Sequence, residues 1–242
     1  MSKNQTYLIV GAGCFIALCA VAALVIGVMY VIPRLSPAAE AINVESNPRP
    51  NASGNSMGDP NAPIQMVEFG DFQCPFCERH HVETEPFLIN EYIETGKVHF
   101  TYRSAGNWVS EFSGSGNTES QDAAQAAYCA ADQNKFWEMH DALFLNNRDV
   151  ENEGAFSPRN LIGIAESIDL DMAEFQNCFN SETYAARVAQ DFDDALSFGV
   201  QGTPTFFLTY EVNGETQTMV IEGAQPFGAF QQVLDQIFAE IQ

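Results

Sequence analysis

The sequence predicts an α/β domain whose sheet is interrupted by an all-helical block, preceded by one apolar segment long enough to cross a membrane. Three observations carry this. Ile64-Gln65-Met66-Val67-Glu68-Phe69 is an apolar-rich run of strand length, and a helical stretch opens just after it at Cys74-Pro75-Phe76-Cys77. The middle of the chain, about 104–199, shows helical patterning only. Beyond it, a β-rich run, the turn dipeptide Asn213-Gly214, a return strand and an amphipathic helix close the chain.

After a short tail (1–6), residues 7–32 form an apolar run without a charged side chain. At about 1.5 Å rise per residue it spans a hydrocarbon core of about 30 Å with some tilt. A removable signal has an apolar stretch of only about 7–15 residues, so the length favours a retained anchor. Ala39-Glu40-Ala41 resembles a cleavage site but lies well past the run. Lys3 and Arg34 flank the run on opposite sides, which leaves little charge bias to orient it. Cys14 and Cys19, inside the run, read as small buried hydrophobes. Residues 33–61, rich in Pro, Asn, Ser, Gly and Ala, read as a flexible linker, with the globular domain at 62–242.

The 242 residues carry 10 Lys and Arg against 32 Asp and Glu, a formal net charge of −22. A surface this acidic excludes nucleic acid as a partner and disfavours adsorption to anionic lipid.

Within the domain, Gly70-Asp71 ends the first strand, and 78–95 reads as helix until Gly96. Lys97 to Tyr102 alternates as a second strand, and 104–117, rich in Gly and Ser, reads as a loop. A long helical region follows, with one apolar face at Ala123, Ala124, Ala127 and Tyr128 and another at Phe136, Met139, His140 and Leu143. Ser157-Pro158, Asp171 and Ser181 supply caps for three further helices, the last ending at Gly199. Thr205 to Tyr210 and Thr216 to Ile221 make the hairpin. In the final helix, Phe230, Val233, Leu234, Ile237, Phe238 and Ile241 recur at helical spacing and form the inner face.

Cys74 sits just before a Pro at the first helical turn, facing unpaired N–H groups and the positive end of the helix dipole. That environment favours the thiolate, the reactive species. Cys77, roughly one turn on, is placed to close a disulfide with it. A C-x-x-C alone also suits half a zinc site, and His80 and His81 on the same helix offer a third ligand. No second arm of ligands is visible, and the two histidines are expected as a partly exposed pair. Gly202-Thr203-Pro204, directly before a strand, is a candidate cis-proline turn.

The order of strand, C-x-x-C, helix, and later Thr-Pro, strand, hairpin, helix resembles the thioredoxin fold. Val67 to Cys77, Ala127-Tyr128-Cys129-Ala130, Lys135 to Asp141 and Gly199 to Pro204 together resemble the DsbA-type thiol:disulfide oxidoreductases, in their membrane-anchored, BdbD-like branch. The resemblance implies that Cys74 is the nucleophile and Cys77 the resolving thiol. It implies that Glu68 is a buried acid exchanging protons with Cys77, and that Thr203-Pro204, with Gly202, Pro75 and Phe76, contacts the client. It further implies a quinone-linked reoxidase as partner, with cysteine-containing exported proteins as clients and no cofactor; the apolar run and the cysteine chemistry favour a single-pass membrane protein whose domain lies outside the cytoplasm. The dipeptide Pro75-Phe76 departs from the pattern, because it lacks the His of the most oxidising relatives. A reductase or isomerase, and a metal carrier using Cys74, Cys77 and His81, are the competing functions.

Cys129 and Cys178 fall on two predicted helices of the insert, beside Tyr128 and Phe179. They are either separate buried thiols or, the preferred expectation, a structural disulfide. Closing that loop of about 49 residues would stabilise by roughly 4 kcal/mol in the chain-entropy model. Such a bond requires an oxidising compartment.

Overall fold

The computed structural model describes residues 49–147 and 150–241. The apolar run at 7–32 and most of the 33–61 linker lie outside the described residues. Among the described residues no helix is long and apolar enough to cross a membrane.

Five strands form one mixed sheet: β1 (Ser56–Met57), β2 (Ile64–Gly70), β3 (Val98–Ser104), β4 (Thr205–Val212) and β5 (Glu215–Glu222), in the order β1-β3-β2-β4-β5. β2 and β3 are parallel, and every other pairing is antiparallel. Central β2 therefore places Glu68 between Tyr102 on β3 and Phe206 on β4. Alternation along β3 buries Val98, Phe100, Tyr102 and Ser104. Asn213 (φ +54°) and Gly214 (φ +81°) turn the β4–β5 hairpin, a two-residue connection whose twist matches its strands.

The first helical stretch is not continuous. α1 (Pro75–Glu83) ends at Thr84 (φ −121°), α2 (Glu85–Leu88) follows, and a π-helical turn (Ile89–Ile93) completes it. Pro86 is the cause: it has no N–H for the carbonyl one turn back, and its ring disfavours a regular helix there.

The insert is built of α3 (Trp108–Phe112), α4 (Glu119–Ala131), α5 (Phe136–Asn146), α6 (Pro158–Ser167), α7 (Met172–Asn180) and α8 (Ala185–Ser197). The stretch expected as loop thus contains a short helix, α3, whose five residues are too few to show periodicity. Asn134 at φ +58° separates α4 from α5. Asp171 caps α7, accepting from the N–H groups of Ala173 and Glu174. Ser181 instead ends α7, its hydroxyl bonded to the Asn177 carbonyl, and α8 begins only at Ala185. Cys129 on α4 and Cys178 on α7 are joined as a disulfide, with Cα atoms 5.8 Å apart. The closing helix α9 (Phe227–Glu240) buries Phe230, Leu234 and Ile237.

The folded domain begins earlier than residue 62. β1 pairs with the edge of β3, and Met57 is fully buried. Upstream, the Arg49 guanidinium lies over the Trp137 ring, 4.6 Å from its centroid, and pairs with Glu85 and Asp141. Burial pushes the Glu85 carboxyl up, but Arg49 and His81 outweigh it and hold it well below the usual carboxylate range. A two-residue strand and one buried cation leave no periodic trace in a segment rich in Asn, Ser and Gly.

Removing one partner of a buried ion pair strands the other charge. Arg49→Met should lower unfolding stability by about 3–5 kcal/mol in urea titration. A loss below about 1 kcal/mol would show the pairs to be no stronger than exposed ones.

Candidate active site

Cys74 is the N-cap of α1, and Pro75 stands at its first position. Pro75 fits because the first N–H of a helix has no acceptor within the helix. Both cysteines are reduced; Cys77 is fully buried and Cys74 nearly so. A hydrogen bond from Cys77 does most to favour the Cys74 thiolate. Burial opposes it, and the Thr203 hydroxyl and the Cys77 N–H add to it. The thiol is lowered to about 7. Cys77 goes the other way: burial, then its bond to the Cys74 sulfur and the nearby charges of Cys74 and Glu68, push it well above the ordinary thiol value. The two sulfurs are thus unequal, one ionised near neutrality and one holding its proton.

The Thr203–Pro204 peptide is cis, and the Thr203 carbonyl lies 3.2 Å from the Cys74 sulfur. Gly202 is half-buried beside it. Phe76 is 52% exposed and Phe112 61% exposed, and together with Trp108, Gly202 and Thr203 they border a groove that opens on Cys74.

Glu68 lies on β2, inside the protein, and its Oε2 has no hydrogen-bond partner among the described residues. Burial, reinforced by Glu85 and Cys74 and opposed by Arg49, pushes its carboxyl well above the usual value. Glu68 is therefore a buried acid whose surroundings favour its protonated form. Gly70 makes room for it: a Cβ there would come within 2.7 Å of the Tyr102 ring and 3.1 Å of Glu68 Oε1.

His80 and His81 are buried, not partly exposed as expected. Positions 77, 80 and 81 share the inward face of α1, so the histidines follow Cys77 into the core. His80 packs on Phe206 and Phe230, with ring centroids 4.5 and 5.4 Å away, and burial lowers its pKa to about 4. The His81 Nδ1 is 3.3 Å from Glu85 Oε1. Among the described residues His81 groups as a candidate metal ligand with Glu85, His140 and Asp141, not with Cys74 and Cys77. Arg49 already supplies that cluster with positive charge. The proposed three-ligand set of Cys74, Cys77 and His81 is thus not assembled.

Two residues that the sequence does not single out also belong to the site. Asp71 is buried, its N–H donates to the Cys77 sulfur at 3.5 Å, and burial pushes its carboxyl up to about 6. Buried Gln73 bonds Ser110, Ser120 and Asn152 of the insert. Their place within three residues of Cys74 was the available signal.

The fold and the unequal sulfur pair define a dithiol–disulfide exchange centre. Residues 51–235 match the thioredoxin family model. The chain belongs to the thioredoxin family, and it is 30% identical over 154 residues to the probable disulfide bond formation protein D of Bacillus cereus, covering 63% of this chain and 68% of that protein. It is 29% identical over 157 residues to disulfide bond formation protein D of Bacillus subtilis, covering 64% of this chain and 68% of that protein. It is also 34% identical over 151 residues to Na(+)/H(+) antiporter NhaA 1 of Salinispora arenicola, covering 62% of this chain but only 21% of the antiporter. Among solved structures, the oxidised BdbD of Bacillus subtilis superposes with a TM-score of 0.62 at 23% identity, covering 81% of this chain and 97% of that one. Alpha-DsbA1 of Wolbachia pipientis gives a TM-score of 0.64 at 24% identity, covering 77% and 92%.

In the reduced protein, alkylation of Cys74 should rise with pH about a midpoint near 7, while Cys77 stays unreactive there. Mass analysis of singly labelled protein checks this, and equal labelling of both sulfurs would overturn it.

Proposed function

We propose that this protein introduces disulfides into exported proteins, anchored by residues 7–32 with its domain outside the cytoplasm. The observation that carries the reading is the Cys74 sulfur: the more readily ionised of the pair, at a helix tip, 3.2 Å from the Thr203 carbonyl.

Chemistry follows from that inequality. A client thiolate attacks Cys74 of the oxidised pair, forming a mixed disulfide. The Cys74–Cys77 bond breaks and its electron pair goes to Cys77, which takes the proton of Glu68. A second client thiolate then attacks the client sulfur of the mixed disulfide, and Cys74 leaves as thiolate. The client loses two electrons and the dithiol gains them. A membrane reoxidase, quinone-linked, is the proposed acceptor of those electrons. Support for a membrane and exported setting comes from the length of the apolar run and from the Cys129–Cys178 disulfide, a bond at home in oxidising compartments.

Direction is a question of potential. Stabilising the thiolate stabilises the reduced enzyme, which favours donating the disulfide. One observation favours the reverse: a Cys74 value of about 7 is that of thioredoxin's own thiol rather than of the strongest oxidases. Equilibration with glutathione separates the two. A potential between about −120 and −180 mV is expected, and one near −270 mV would assign the protein to reduction.

Glu68→Gln removes the proton donor and should slow attack of a client thiol on the oxidised enzyme by about a hundredfold. Stopped-flow rates within about threefold of the wild type would remove Glu68 from the mechanism.

A further inference from the structure

The client groove has two walls of different origin. One is the dithiol turn between β2 and α1, with Phe76. The other is α3, a five-residue helix at the start of the insert, which carries Trp108 and Phe112 with ring centroids 4.6 Å apart. Docking of a client at Cys74 depends on the spacing of these walls, and Asp71 bonds to both through backbone N–H groups, beside the Gln73–Ser110 side-chain bond.

Its main chain serves the dithiol side. The Asp71 carbonyl accepts from the Cys74 N–H at 3.0 Å, and its own N–H points at the Cys77 sulfur. Its carboxylate divides between the walls. Oδ1 accepts from the Gln73 N–H at 2.9 Å, and Oδ2 accepts from the Val109 N–H, also at 2.9 Å. Val109 is the second residue of α3, where the N–H has no acceptor within its own helix. Burial pushes the Asp71 carboxyl up to about 6, while its two backbone bonds pull it down. At neutral pH it is therefore a carboxylate, with both oxygens free to accept.

We propose that Asp71 is a positioning residue for the exchange reaction: its two carboxylate oxygens hold the dithiol turn and the aromatic wall of the groove in one register. An amide would not serve. Either way round, Asn at this position turns its NH2 toward one of the two backbone donors. The inference rests on the reading that proteins dock in this groove.

The test compares two substrates of the oxidised full-length protein within each variant. One is a short peptide with a single cysteine flanked by Leu and Phe, which needs the groove. The other is reduced glutathione, which tests the disulfide alone. The ratio is read on variants shown by circular dichroism to be folded, because the disulfide of an unfolded chain reacts with both thiols without preference. In Asp71→Asn the ratio should fall about tenfold, the scale of one buried charge-assisted hydrogen bond. Val109→Pro deletes the same bond from the donor side, at a helical position that Pro86 occupies in α2. It should reproduce the loss, and the double variant should lose no more than either single one. A ratio within about twofold of wild type in Asp71→Asn, or full additivity in the double variant, would overturn the clamp. A wild type that shows no preference for the peptide would instead remove the groove itself, and the clamp with it.

Discussion

Everything at this site depends on an unequal sharing of one proton between two sulfurs. Cys74 and Cys77 are hydrogen-bonded neighbours with different surroundings. One caps a helix and receives donors from Thr203 and from the first turn. The other is sunk beside Glu68, where a second negative charge is costly. The ionised sulfur is the better leaving group, and the protonated one is shielded from the client. Without that asymmetry the pair would be an ordinary buried dithiol.

The surrounding sheet maintains the inequality. Parallel β2 and β3 bring Glu68 and Tyr102 to the same level, and Gly70, at the end of β2, keeps the space beside both free of a side chain. β4 then delivers Thr203 and the cis Pro204 to the other flank of Cys74. No single element makes the site. It forms where the carboxyl end of β2 meets the start of β4, and the insert adds one wall.

Features with a local physical cause were legible in the sequence. The cap at Asp171, the Asn213-Gly214 turn and the Pro after Cys74 each act through their own backbone, so residue type alone identifies them. Tertiary features were not. His80 and His81 read as exposed because two adjacent polar residues on a helix usually flank its solvent face, whereas this helix is covered by Phe206, Phe230 and the Arg49 cluster. Arg49 itself was hidden in a composition that reads as tether. Asp71 looked like a turn residue because its partner, Val109, lies 38 residues away.

The ion pairs of Arg49 bear on how the N-terminal edge of the described residues is held to the domain. Chain arriving from the N-terminal side meets α2 and α5 through two buried salt bridges before it reaches the edge of the sheet. Tension along that segment would therefore be taken up by Glu85, just beyond α1, and by Asp141 on α5, and not by the short strand β1. The anchorage is electrostatic and interior, so ionic strength in the surrounding medium would do little to loosen it.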